Sequence, residues 1–214
     1  MSKIRIDYIK NVFKNYQPVG EKGAKHFAVV LLLADIADEP QIIYEVRALN
    51  LDRQPGEVCL PGGLIEPGET PWECALRETN EELGIPVEEI EIIREIDSVF
   101  TTGGSRIHCF LGTVSRETFE RIKPFEAEVA EIFTVPVDTL LHTEPEMYYS
   151  TVTQQPDENF PYDKVTGGKK YPWRGGRSPV PVYEVTDARG KRRIVWGLTG
   201  RMTKQFLEVL KCSD

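Results

Sequence analysis

The chain has 214 residues, 40% of them hydrophobic and 28% charged, with a formal net charge of −8. That length suits one ordinary domain carrying an arm or insertion, and it can bury a sizeable core without covalent staples. The acidic balance argues against nonspecific capture of nucleic acid or of an anionic membrane, and leaves small anionic substrates open.

The four cysteines, Cys59, Cys74, Cys109 and Cys212, form no CxxC pair, so zinc-ribbon and thioredoxin readings fail. Three histidines make a histidine-rich metal site a poor reading. The first seven residues are charged rather than apolar, unlike a secretory signal, and the longest apolar run, residues 27–34, is too short to span a bilayer. A reducing cytoplasm is the expected location.

In chain order, residues 4–16 read as an amphipathic helix, with Ile6, Ile9, Val12, Phe13 and Tyr16 at helical spacing. A loop over residues 18–23 ends it. Residues 26–34 are continuously apolar, as a buried strand is, and residues 41–47 alternate as a second strand. A Gly- and Pro-rich loop follows from Leu51 to Glu69. Thr70 is the expected N-cap of a helix with Pro71 at its first position, ending at Gly84. Residues 90–100 and 107–114 read as strands, 117–121 as a short helix, 132–136 as a strand and 137–141 as a helical turn. Residues 151–181 hold five prolines and read as one long loop, of the kind that is usually functional or mobile. Its aromatics, with Tyr148 and Tyr149 just before it, are expected to form a small satellite core or to stack on a ligand. A hairpin over 182–185 and 193–197, and a helix over about 199–211, close the chain.

One stretch carries the chemistry. Gly63, Glu69, Arg77, Glu78, Glu81, Glu82 and Gly84 occupy fixed offsets, followed by Ile85. At about one in fifteen per position, seven such matches arise by chance roughly once in 10⁸ starting points. On a helix, Glu78, Glu81 and Glu82 share one face, and Trp72, Leu76, Thr79 and Leu83 make the expected core stripe. Carboxylates at i, i+3 and i+4 repel one another, and hard cations between them relieve that repulsion. The plain alternative is a solvated acidic face. For Arg77 it is an ordinary salt bridge to Glu73 or Glu81.

The stretch resembles the Nudix box, with Thr79 standing where an aliphatic residue is usual. The resemblance implies an α/β fold, a mixed β-sheet sandwiched between α-helices (α/β/α). It implies a helical arm over residues 1–23 and a Nudix domain over 24–214. It further implies Mg²⁺ or Mn²⁺ held by Glu78, Glu81, Glu82 and the Gly62 carbonyl, with Arg77 and Glu69 bracing the loop. The activity implied is hydrolysis of a pyrophosphate linkage, with a box glutamate (Glu81 or Glu82) or the later Glu128 as general base and Glu131 as the fallback.

The segment upstream, with Arg47, Ala48, Gly56, Pro61, Gly62 and Gly63, resembles that of coenzyme A pyrophosphatases. Leu60 stands where Phe is usual, and Asp52 where a basic residue is usual. Residues 128–137 and 195–201 continue the likeness. It implies cleavage of coenzyme A or its derivatives to 3′,5′-ADP and 4′-phosphopantetheine, with Arg47, Arg53 and Gly63 meeting the substrate. ADP-ribose or another nucleoside diphosphate conjugate, and a non-catalytic Nudix-fold binding module, are the open alternatives. The expected partner is a small nucleotide-like pyrophosphate, with no nucleic acid and no membrane. A homodimer through the first helix or the 151–181 loop completes the expectations.

Overall fold

A computed structural model describes residues 5–15 and 24–212. The helical reading of residues 4–16 is met by α1 (Ile6–Phe13), none of whose residues is buried. Tyr16 and the loop expected at 18–23 lie outside the described residues.

The chain then builds a mixed seven-stranded sheet from β1 (His26–Ile36), β2 (Glu39–Arg47), β3 (Val58–Cys59), β4 (Gly62–Leu64), β5 (Glu91–Phe100), β6 (Arg106–Val114) and β7 (Val129–Pro136). The main path runs β3-β2-β1-β6-β5, with β4 also on β1 and β7 also on β2. The apolar run of β1 makes it the centre: it pairs antiparallel with β2 and β4 and parallel with β6. Alternation then divides its side chains between two core layers. Leu31 joins Ile42 and Tyr44 on one face, while Ala28, Val30 and Leu32 join Ile43 on the other.

Helix α2 (Pro71–Leu83) packs on β1 and β4, covering the second face. Its ends are as the sequence expects. Thr70 and Glu73 form a reciprocal capping box, Pro71 opens the helix, and Gly84 closes it in the left-handed conformation at φ 67°. The expected core stripe needs correction. Cys74, Ala75, Thr79, Glu82 and Leu83 are buried, whereas Trp72 is 44% exposed and sets its ring edgewise against Phe110 at 5.9 Å. The approach of β1 and β4 rotates the buried arc away from Trp72. Thr79 is tolerated at an apolar position because its hydroxyl donates to the Ala75 carbonyl at 2.7 Å.

Short helices α3 (Arg116–Glu120) and α4 (Val137–Leu141) flank β7 in the chain. The other face of the sheet is covered by α5 (Gly197–Lys211) and by a second, three-stranded sheet of β8 (Glu146–Val152), β9 (Gly176–Thr186) and β10 (Arg192–Trp196). The mixed sheet between helices therefore holds, with this small sheet added. The loop expected at 151–181 is shorter, spanning 153–175, because β8 and β9 pair from Glu146↔Val182 to Val152↔Gly176. Pro179 and Pro181 sit where β9 has β8 alone beside it, and an open strand side tolerates proline. Within the remaining loop Phe160, Tyr162, Tyr171 and Trp173 pack edge to face at 5.0–5.1 Å as a satellite cluster, while Tyr148 and Tyr149 stand exposed on β8 outside it.

Candidate active site

The loop from β4 to α2 is held by one arginine. Arg77 donates from Nε to Glu69 Oε1 at 2.8 Å and from Nη2 to Glu69 Oε2 at 3.1 Å, a two-pronged grip. Its Nη1 donates to Glu78 at 2.9 Å and to Glu81 at 3.0 Å, and Nη2 reaches the Leu64 carbonyl at 3.3 Å. Glu73, occupied in the helix cap, is not among its partners. The hydrogen bonds from Arg77 and from the Glu66 N–H outweigh desolvation and hold the Glu69 carboxyl down at about 2.

The box glutamates differ in setting. Glu81 is exposed, Glu78 half-buried, and Glu82 buried with Oε2 accepting the Gly62 N–H at 2.8 Å. Burial raises the Glu82 carboxyl to about 8; Glu78 and Glu128 push it the same way, against the Gly62 hydrogen bond and Arg47. Glu78 is raised chiefly by burial, with Arg77 opposing and Glu81 and Glu128 adding. Glu128 therefore faces this cluster from the turn before β7, where its carbonyl also accepts the Ala48 N–H at 2.8 Å. Glu131 does not face it: Arg193 and Lys191 hold it elsewhere.

Both glycines are fixed by space. Gly62 has φ +146°, and a Cβ there would meet the Ala28 carbonyl oxygen at 2.2 Å. A Cβ on Gly63 would meet the Glu78 carboxyl at 2.3 Å, so the bare backbone lies against the carboxylates.

Beside them opens a cavity of about 490 Å³ lined by Gly62, Gly63, Arg47, Leu60, Trp196 and Thr199 among others. Arg47 turns its Nε to the Arg53 carbonyl at 3.3 Å. Arg53 is exposed, offers its backbone to Arg47, and is not part of the cavity lining. Of the expected substrate residues, the structure brings Arg47 and Gly63 together at the cavity and leaves Arg53 outside.

One acidic residue was missed. Glu45 of β2 is 1% exposed on the α2 side of the sheet, and burial, with Glu82 and Glu128 adding, raises its carboxyl well above the usual range. The signal in sequence was a glutamate set between Tyr44 and Val46, two residues from Ile43 on the same strand face.

Among the described residues no group of three or more His, Cys, Asp or Glu side chains stands ready to hold a metal ion. Glu78 and Glu81 are turned to Arg77, and Glu82 to Gly62. The donor chemistry nonetheless fits a hard divalent ion: oxygen ligands only, mutually repelling, with one buried carboxylate oxygen of Glu45 left unpartnered.

The NUDIX domain model matches residues 24–154, more than half of the chain. The chain belongs to the Nudix family. It is a Nudix-type pyrophosphohydrolase. It is 28% identical over 195 residues to Nudix hydrolase 3 of Caenorhabditis elegans, covering 86% of this chain and 72% of that one. It is 31% identical over 185 residues to the mitochondrial coenzyme A diphosphatase NUDT8 of Mus musculus, covering 86% and 77%. It is 30% identical over 139 residues to the peroxisomal coenzyme A diphosphatase NUDT7 of Mus musculus, covering 64% and 57%, so it spans little more than half of that relative. Among solved structures, a MutT/nudix family protein from Enterococcus faecalis overlays with a TM-score of 0.48 at 15% identity, covering 97% and 70%.

Proposed function

We propose that this Nudix hydrolase uses Mg²⁺ or Mn²⁺ to cleave the pyrophosphate of coenzyme A or its derivatives, giving 3′,5′-ADP and 4′-phosphopantetheine or its derivative. The observation that carries the reading is the meeting of the acidic cluster and the cavity at Gly62 and Gly63. A polyanionic substrate in that cavity lies beside Glu78, Glu82 and Glu128, and needs cations to do so. Relatives bearing the name coenzyme A diphosphatase, at 29–31% identity, support the substrate.

Glu78, Glu81, Glu82 and the Gly62 carbonyl would hold the ion. When bound, it offsets phosphate charge and lowers the pKa of the attacking water. Arg77 and Glu69 keep the loop and α2 in register, so the carboxylates stay aimed at one point. Glu128, or else Glu81 or Glu82, takes the proton as water attacks phosphorus and the anhydride P–O bond breaks. Arg47 meets a phosphate at the cavity mouth, Gly63 lets the substrate approach the backbone, and Arg53 adds long-range positive charge from outside. The four free cysteines support a reducing compartment such as the cytoplasm. No helix among the described residues is long and apolar enough to cross a membrane.

The test is a panel of coenzyme A, acetyl-coenzyme A, coenzyme A disulfide, ADP-ribose, NADH and diadenosine polyphosphates with Mg²⁺ or Mn²⁺. Release of 3′,5′-ADP from the coenzyme A members, lost in Glu82→Gln, is the expected result. Turnover of ADP-ribose or NADH alone would remove coenzyme A and leave the hydrolase. No turnover of any member would move the reading to an untried substrate or to a binding module.

A further inference from the structure

Glu45 has no place in the box and no salt bridge among the described residues. It lies in β2 opposite Cys59 of β3 and Ile132 of β7. Its neighbour on the same strand face, Ile43, packs in the core layer beneath α2 with Cys74, Ala75 and Leu83, so Glu45 points to the helix that carries the box. There it is 1% exposed. Its Oε2 receives a long thiol hydrogen bond from Cys59 at 3.7 Å, and its Oε1 is buried with no partner among the described residues. Glu82 of α2, Glu128 from the turn before β7, and Arg47 two residues along β2 are the charged groups that face it.

A carboxylate sealed from water beside two others, with one oxygen unsatisfied, opposes folding unless it takes up a proton or a cation meets it. Arg47 acts on Glu45 only through charge at a distance: no Arg47 N–H reaches the free Oε1, and its Nε donates to the Arg53 carbonyl. A glutamine would fill the same space without the charge. The acidic cluster and the unpartnered, buried oxygen are separate observations, and both point to a cation.

We propose that Glu45 is a further ligand of the divalent-cation site, offering its free oxygen from the sheet side opposite Glu82. The inference rests on the metal-dependent reading above. It makes the site a clamp between β2 and α2 rather than a feature of the box alone. Binding of the ion then ties the sheet to the helix.

The experiment is Mn²⁺ binding to the full chain, followed by electron paramagnetic resonance, with melting temperatures taken with and without Mn²⁺. Glu45→Gln is expected to keep or raise its metal-free melting temperature. It is also expected to lose tenfold or more in Mn²⁺ affinity and much of the metal-induced rise in melting temperature. Glu45→Asp is expected to fall between the two. Unmodified Mn²⁺ affinity and stoichiometry in a folded Glu45→Gln would overturn the inference and leave the metal reading intact. So would a lower metal-free melting temperature with normal Mn²⁺ affinity, which marks a packing role. If Glu45→Gln does not fold, unchanged affinity in Glu45→Asp overturns it. An unmodified chain that binds no Mn²⁺ would overturn the metal reading and this inference together.

Discussion

Two arginines organise carboxylates in this molecule, and they do so to opposite ends. Arg77 meets Glu69, Glu78 and Glu81, one positive charge against three negative, at the edge of a cavity. Arg193 meets Glu131 and Asp187 with Lys191 beside it, two positive against two negative, its side chain 6% exposed and its guanidinium 4.3 Å from the centre of the Phe133 ring. The balanced network is complete in itself and ties β10 to β7. The unbalanced one leaves an excess of carboxyl groups, with Glu82, Glu128 and Glu45 facing the same cluster, and under the proposed function that excess recruits cations. Local charge balance, rather than the number of ion pairs, separates a brace from a site.

The contrast can be broken by mutation. The largest effect is expected for Arg193→Ala, which takes the charged partner from the fully buried Asp187 and leaves Glu131 with Lys191 alone: a loss of about 3–5 kcal/mol in stability by chemical denaturation. Catalytic efficiency per folded molecule should not change. Arg77→Lys should do the reverse. A lysine cannot grip Glu69 with two prongs, so activity and Mn²⁺ affinity should fall by ~10–100-fold, as for the loss of an outer partner of a metal ligand. Stability should move little. If Arg77→Lys costs more stability than Arg193→Ala, the division between brace and site is wrong.

The smallest expected effect is on acid stability. Arg193 chiefly holds the Glu131 carboxyl at about 2, below its ordinary 4.5. A depressed acid contributes fully above its unfolded value, so this stabilisation is present above about pH 4.5 and is lost as pH falls toward 2. Glu131→Gln should therefore flatten the fall in melting temperature across that window and lower stability at neutral pH. An acid limb as steep as the unmodified chain's would assign that fall to other carboxylates.

The two networks also differ in how readable they are. Every carboxylate partner of Arg77 lies within eight residues, so one helix and one loop bring them together and their spacing announces them. Glu131 lies 62 residues from Arg193, and only the docking of the small sheet on the large one unites them, which is why Glu131 read as a candidate base. Glu45 was overlooked for the same reason: alternation shows which strand face it takes, but not that α2 carries carboxylates over that face. Trp72 was misplaced because helical spacing defines an apolar arc without saying where β1 and β4 press on it. The hairpin of β8 and β9 was hidden by Pro179 and Pro181, whose composition reads as loop while an open strand side admits them. The Thr70 cap, the Gly84 stop and the buried apolar strand are local properties, and they stand where expected.

The most direct measurement is the release of 3′,5′-ADP from coenzyme A by chelator-treated protein, with Mg²⁺ or Mn²⁺ then added back. The account predicts no product in the chelator and restored turnover with either ion. Undiminished release in the chelator would contradict it, because the excess carboxylates at Arg77 would then be doing something other than holding a cation.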